Sequence, residues 1–400
     1  MKKMKKWVGL GLVLAMTAGF TGCTNNSATS SESTSDSTST TKETESTQSS
    51  ESTETIKIAV AAPMTGDTAE YGIGFTNAAQ LMADEWNANG GVLGQQIEIV
   101  PYDDKNSSEE AATIAQKIVS EGDIVGVIGH FSSGVCLTAA PIYQQNQIIE
   151  ISPSASHPDY SLVGDYIFRN NTVIKSEAAA SIDIATQDLG KKNIGIISIK
   201  TDWGTNTSQV IKDLVEQLGS DVKVVAHEEV VEGSDDYSPA ITKLNEAGAD
   251  VVICAGMYNL VAPVAKQYKQ INPDIQIVGF SNAYSQQLIE LGGDSVEGVC
   301  FPVIFFSESQ DEKIKTYVDA FTKAYGTAPS ALSSQAYDSV GMLLTAIEQA
   351  GTTDSQQVRK FLADLGYDGV TGYTKFDENG DVQKDFIKVT IKDGTFVKMD

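Results

Sequence analysis

From Ile56 onward, short runs of β-branched and apolar residues alternate with stretches whose apolar positions recur every three or four residues. Ile56-Lys57-Ile58-Ala59-Val60-Ala61 reads as a strand. After Gly72, the positions Ala79, Met82, Ala83 and Trp86 fall at i, i+3, i+4 and i+7 and predict one buried helical face. Asn89-Gly90-Gly91 stops that helix, and Ile97–Tyr102 predicts the next strand. Ala111, Ile114, Ala115, Ile118 and Val119 form a second helical face, followed by strands at Ile124–Ile128 and Ile148–Ile151 with a helix between them. After about Lys175 the rhythm begins again. Strands are predicted at Ile194–Ile199, Val222–Val225, Val251–Cys254, Ile275–Val278 and Val299–Phe305, with helices around Thr207–Leu218, Ser238–Ala247 and Val261–Gln270. Such alternation implies parallel sheets covered by helices on both faces. A single sheet of about ten strands is unusually wide, so two α/β lobes are expected. Ligands of open α/β sheets bind beyond the carboxyl ends of the strands, and two facing lobes then share one cleft.

The first residues follow a different pattern. Met1–Lys6 is basic, Trp7–Phe20 is apolar or small, and Thr21-Gly22-Cys23 follows, which predicts a secretory signal over residues 1–22. Gly22-Cys23 resembles the lipobox of bacterial lipoproteins, with Phe20 where that motif usually carries leucine, and the resemblance implies lipidation of Cys23. Residues 23–55, mostly Ser and Thr after Cys23 with scattered acids, show no apolar periodicity and read as a disordered tether, about 100 Å long when fully stretched. No later apolar run reaches the length needed to cross a bilayer. The formal charge is -25, and loss of the signal removes four lysines and no acid. Nucleic acid is therefore not an expected partner, because phosphate binding needs clustered Lys and Arg. Beyond Cys23 the cysteines are Cys136, Cys254 and Cys300, with no metal-like spacing, and they read as small hydrophobes.

Two loops that follow strands are rich in hydroxyls: Gly129-His130-Phe131-Ser132-Ser133-Gly134 and Ser152-Pro153-Ser154-Ala155-Ser156-His157. Each alone reads as a helix cap, but two at neighbouring strand ends point to an anion site suited to a carboxylate. A serine-hydrolase elbow is a rival reading of Ser132 or Ser133, but His130 stands where the motif needs glycine, and only His157 and His227 follow as bases. Gly72-Ile73-Gly74 fails as a dinucleotide loop because Asn77 holds the third glycine position. Asp377-Glu378-Asn379-Gly380-Asp381 begins like a calcium loop but has Lys388 where glutamate is needed, and reads as a β-turn. Tyr71, Phe131, Trp203 and Tyr258 lie in loops after strands and supply aromatic lining for a small-molecule pocket.

Taken together, Ala62-Pro63-Met64-Thr65-Gly66, Tyr71-Gly72, Asn87-Ala88-Asn89-Gly90-Gly91-Val92-Leu93-Gly94, Tyr102-Asp103-Asp104, Val127-Ile128-Gly129-His130, Ile151-Ser152-Pro153-Ser154-Ala155, Tyr337-Asp338 and Phe376-Asp377-Glu378-Asn379-Gly380-Asp381 resemble the leucine/isoleucine/valine-binding proteins of bacterial ABC transporters. The resemblance covers the chain from about Ile56 to its end. It implies a two-lobed type I periplasmic-binding fold joined by three hinge crossings, with residues 56–174 and 303–369 in the first lobe and 175–302 and 370–400 in the second. It also implies that Ser133 and Ser156 bind a ligand carboxylate beside Ser132 and the Ser154 backbone, that Tyr71 and Trp203 close over the ligand, and that Phe131 lines its side-chain pocket. Met257 and Tyr258 fall near a family tyrosine, and Ser281 and Asn282 occupy the loop where relatives often carry an acid for the α-ammonium. Carboxylate capture thus carries over and ammonium capture does not. Asp202 is the nearest acidic candidate, and its simpler reading is a cap on the following helix.

The reading is an exported solute-binding lipoprotein that takes an apolar amino acid or similar small carboxylate to an ABC permease, acting as a monomer, without cofactor and without catalysis. A ligand sensor with a signalling partner is the alternative, ahead of the hydrolase.

Overall fold

The structure, a computed structural model, describes residues 55–219 and 221–399. The signal, Cys23 and all of the tether before Thr55 lie outside the described residues. Among the described residues no helix is long and apolar enough to cross a membrane.

The chain opens with β1 (Ile56–Ala62), α1 (Ala69–Ala88), β2 (Ile97–Asp103), α2 (Ser108–Glu121), β3 (Ile124–Gly129), α3 (Ser133–Gln145), β4 (Ile149–Ser152) and β5 (Ile167–Arg169). These strands form one parallel sheet in the order β2-β1-β3-β4-β5. It continues with α4 (Ile174–Asp183), β6 (Asn193–Ile199), α5 (Asp202–Gln217), β7 (Lys223–Val230), α6 (Ser238–Glu246), β8 (Val251–Ala255), α7 (Tyr258–Ile271), β9 (Gln276–Val278), α8 (Gln286–Gly292) and β10 (Cys300–Val303). After α9 (Glu312–Tyr325), α10 (Ala331–Ala350), α11 (Ser355–Asp364) and a hairpin of β11 (Gly366–Gly369) and β12 (Gly372–Lys375), the chain ends in β13 (Ile387–Lys392) and β14 (Thr395–Lys398). The second sheet runs β14-β13-β10-β9-β8-β6-β7, parallel from β10 to β7 and antiparallel at β13 and β14.

Alternation along the strands explains why both sheets are covered twice. On β1, Ile58 and Val60 face one core while Ala59 and Ala61 face another. On β8, Val252 and Cys254 point one way and Val251 and Ile253 the other. A strand buried on both faces reads as a continuous apolar run. Gly72 sits inside α1 because an added Cβ there would lie 2.0 Å from the Pro63 carbonyl oxygen, a close approach of helix to the turn after β1. The three cysteines are buried and free.

The structure departs from the expected elements in several places. Tyr71, Trp203 and Tyr258, expected in loops after strands, lie in α1, in the first turn of α5 and at the start of α7, because these helices begin earlier than their apolar periodicity. β7 runs on to Val230, five residues past the expected end at Val225, because the edge strand stays paired with β6 through Ile199↔Val230. The expected strand Val299–Phe305 keeps only Cys300–Val303, where it pairs with β13. Residues 370–382, placed with the second lobe by the expected division, lie against the first. The Val370 and Thr371 amides donate to the buried Asp338 of α10, Phe376 packs edge-on against Phe168, and Arg169 pairs with Asp381. Among the described residues after 369, those of Ile387–Lys392 and Thr395–Lys398 join the second sheet. The Asp377–Asp381 stretch is a turn, with Asp377 Oδ1 accepting the Asn379 and Asp381 amides.

Candidate functional site

A cavity of about 290 Å³ lies between the carboxyl ends of the two sheets. That is close to the lower end, about 300 Å³, of the range for small-molecule sites. Phe131, Ser132, Ser133, Ser154, Ser156, Trp203, Met257, Ser281 and Asn282 all line it. Tyr71 and Tyr258 do not. Tyr71 stands behind Phe131, its ring stacked on it at 4.3 Å, and its hydroxyl donates across the cleft to the Asn282 carbonyl at 2.7 Å. Tyr258 lies 5.9 Å from Tyr71, ring to ring. These two tyrosines join the lobes beside the cavity rather than forming its wall.

The first-lobe side is a scaffold of N–H and hydroxyl donors. Gly129 ends β3 at φ +150°, where an added Cβ would meet the Ala61 carbonyl oxygen at 2.1 Å, so only glycine lets β3 turn there. The following His130 is fully buried, with Nδ1 2.6 Å from Asp104 Oδ2 and Nε2 3.2 Å from the Tyr143 hydroxyl. Its carbonyl accepts the Ser152 and Ser154 hydroxyls and so ties the β3 loop to the β4 loop. Ser133 opens α3, and its Oγ accepts the Ser156 and His157 amides at 3.3 Å each. Ser156 Oγ accepts the Trp203 indole N–H from the second lobe at 3.0 Å. Both serines are 2% exposed, and neither hydroxyl hydrogen has an acceptor among the described residues. Each can therefore donate into the cavity, beside the free N–H groups at the start of α3.

The second-lobe side carries acids. Glu177, in the first turn of α4, is 3% exposed, lines the cavity, and accepts the Ser281 amide on Oε1 at 2.6 Å. Burial pushes its carboxyl up to about 7, against the stabilising bonds from Ser281. Glu232, in the turn after β7, also lines the cavity, and burial raises its carboxyl too. Glu232 Oε1 and Asn282 Oδ1 are buried acceptors with no donor among the described residues. Asp202 lines the cavity as well but is exposed, and it does not cap its helix: the Thr201 side chain caps α5 by accepting the Gly204 amide. No Lys, Arg or His is among the described lining residues. Phe131, Val135, Ile199, Met257 and Leu332 supply apolar wall.

The hydrolase reading finds no base here. Among the described residues neither Ser132 nor Ser133 bonds to a histidine ring; the His157 ring accepts the Asp159 amide, and His227 bonds to Ser198 and Lys212 on the second lobe.

Comparison with known proteins agrees with this architecture. The family described as periplasmic binding protein matches residues 55–395. The leucine-, isoleucine-, valine-, threonine-, and alanine-binding protein of Pseudomonas aeruginosa is 32% identical over 334 residues, covering 82% of this chain and 87% of that protein. A leucine-binding protein from Thermotoga maritima superposes with a TM-score of 0.79 at 26% identity, covering 86% of this chain and 98% of that one. The branched-chain amino acid transporter substrate-binding protein from Streptococcus pneumoniae, in complex with isoleucine, also gives 0.79 at 26% identity, with coverage of 86% and 100%.

Proposed function

The chain belongs to the periplasmic binding protein family, and from that premise we propose that it captures a branched-chain or other apolar amino acid, or a related small carboxylate, between its lobes and delivers it to an ABC importer. The observation that carries this reading is the pair of buried hydroxyls, Ser133 and Ser156, each with its hydrogen free, facing a small cavity with an apolar wall. Hydroxyls and the N-terminus of α3 hold a carboxylate without a cationic side chain. Phe131, Met257 and Leu332 receive an apolar side chain. The ligand favours the closed arrangement because it touches both lobes at once, and only that differential contact shifts the equilibrium. The passages of chain between the two sheets act as the hinge. Export follows from the signal over residues 1–22, and lipidation of Cys23 tethers the folded part to the membrane through residues 24–55.

A thermal-shift screen of the full mature chain against apolar amino acids and their keto acids tests the binding role. A ligand at 100 times its dissociation constant adds about 2.7 kcal/mol of stability. No shift with any of them removes the reading. Replacing Cys23 by serine tests the anchor: the variant is expected in the soluble fraction, and retention on membranes through detergent-free washing contradicts lipidation.

A further inference from the structure

We propose that Glu177 is the counter-charge for a ligand ammonium group, so that the cleft selects zwitterionic α-amino acids over amine-free acids of the same skeleton. The proposal rests on the solute-binding reading above and narrows its ligand class.

Three carboxyl groups, Glu177, Asp202 and Glu232, line a cavity that has no cationic side chain among its described lining residues. A ligand that brings only a carboxylate adds a fourth negative charge there. A ligand that also brings an ammonium adds none, and supplies three N–H donors. The acceptors waiting for them are Glu177, the unpartnered Glu232 Oε1 and the unpartnered Asn282 Oδ1. Orphaned buried acceptors cost free energy until a donor reaches them.

Among the three acids, Glu177 is the one water screens least. It is 3% exposed, whereas Asp202 is exposed and its attraction for a cation is weakened by solvent. Glu177 is also fixed in place, since the Ser281 amide holds Oε1 at 2.6 Å. The loop at 279–282 thus has no acid of its own but positions one from α4. Burial, which raises this carboxyl, is a cost in the empty cleft that a bound ammonium relieves.

Calorimetry on the full mature chain tests this with L-leucine, L-isoleucine, L-valine and L-phenylalanine, each beside its keto acid, for the wild type and Glu177→Gln. At pH 8 the wild type is expected to prefer the best amino acid over its keto acid by at least about 30-fold, the scale of a desolvated charge pair. Glu177→Gln is expected to lose at least about tenfold in amino-acid affinity while holding or improving the keto acid. The wild type alone gives a second readout that needs no variant. Between pH 8 and pH 5.5 Glu177 gains a proton, so amino-acid affinity falls while keto-acid affinity rises. Glu232, whose carboxyl burial also raises, shares the sign of this effect, and a flatter profile in Glu177→Gln isolates the contribution of Glu177. An unchanged preference in a folded Glu177→Gln, or a wild type that binds keto acids as tightly as amino acids, overturns the proposal and leaves solute binding standing. A wild type that binds none of the eight compounds overturns both.

Discussion

The first lobe meets the cavity with Ser133, Ser154 and Ser156, whereas the second meets it with Glu177, Asp202 and Glu232. The two lips differ in how they are held as well as in charge. Behind the serines stands a buried frame: His130 against Asp104, and the His130 carbonyl gathering the Ser152 and Ser154 hydroxyls. Behind the acids there is less: Ser281 on Glu177, and Asn259 on Glu232, whose buried Oε1 has no donor among the described residues. An anion can be held by neutral donors and a helix start, which cost little to bury once they are bonded to each other. A cation needs an acid, and a desolvated acid without a partner stays uncomfortable until the cation arrives. Under the proposal above, each lobe takes one end of a zwitterion.

The sharpest way to break the first-lobe frame is His130→Ala. It leaves the fully buried Asp104 without its ring partner, and the expected loss is about 3–5 kcal/mol of stability in denaturant unfolding. A loss below about 1 kcal/mol contradicts the frame. On the second lobe the effect is of the opposite sign. Glu177 has a carboxyl raised from 4.5 to about 7 in the folded chain, so the folded state binds more protons than the unfolded one between those values. Stability of the ligand-free protein therefore falls as pH rises through that window. Glu177→Gln is expected to stabilise the ligand-free chain by up to about 3 kcal/mol at pH 8 and by nothing at pH 4. Unfolding curves at the two pH values check it, and equal curves at pH 8 refute the buried, strained acid.

Smaller effects sharpen the division of labour. Ser133→Ala and Ser156→Ala are each expected to weaken ligand binding by about 1.5–3 kcal/mol, the scale of a hydrogen bond to a charged group, in calorimetry. Unchanged affinity in both removes the hydroxyl loops from the site. Asp202→Asn is expected to cost less than about 1 kcal/mol in binding, because its carboxylate is exposed. A larger loss transfers the ammonium site from Glu177 to Asp202.

The same contrast decides what could be read from the sequence. The serine loops were legible because each directly follows a β-branched strand, and neighbouring strand ends of one parallel sheet bring such loops together. Glu177 was not, because it opens a helix, where an acid is ordinarily read as a partner of the helix dipole, and it meets Ser281 104 positions away. Glu232 was hidden by the strand end expected at Val225; with β7 reaching Val230, Glu232 becomes a residue of a post-strand loop. α10 left little trace because it is buried nearly all round, so it has no apolar stripe to give a period. Its Asp338 entered only through the Tyr337-Asp338 motif, which says nothing of its partners at Val370 and Thr371 or of the packing of residues 370–382 on the first lobe.

A crystal structure of the protein with a branched-chain amino acid tests the central division most directly. The account predicts the ligand carboxylate within hydrogen-bond distance of the Ser133 and Ser156 hydroxyls and its ammonium on Glu177. A ligand bound the other way round, or an ammonium held only by Asp202 with Glu177 left on Ser281 alone, contradicts it.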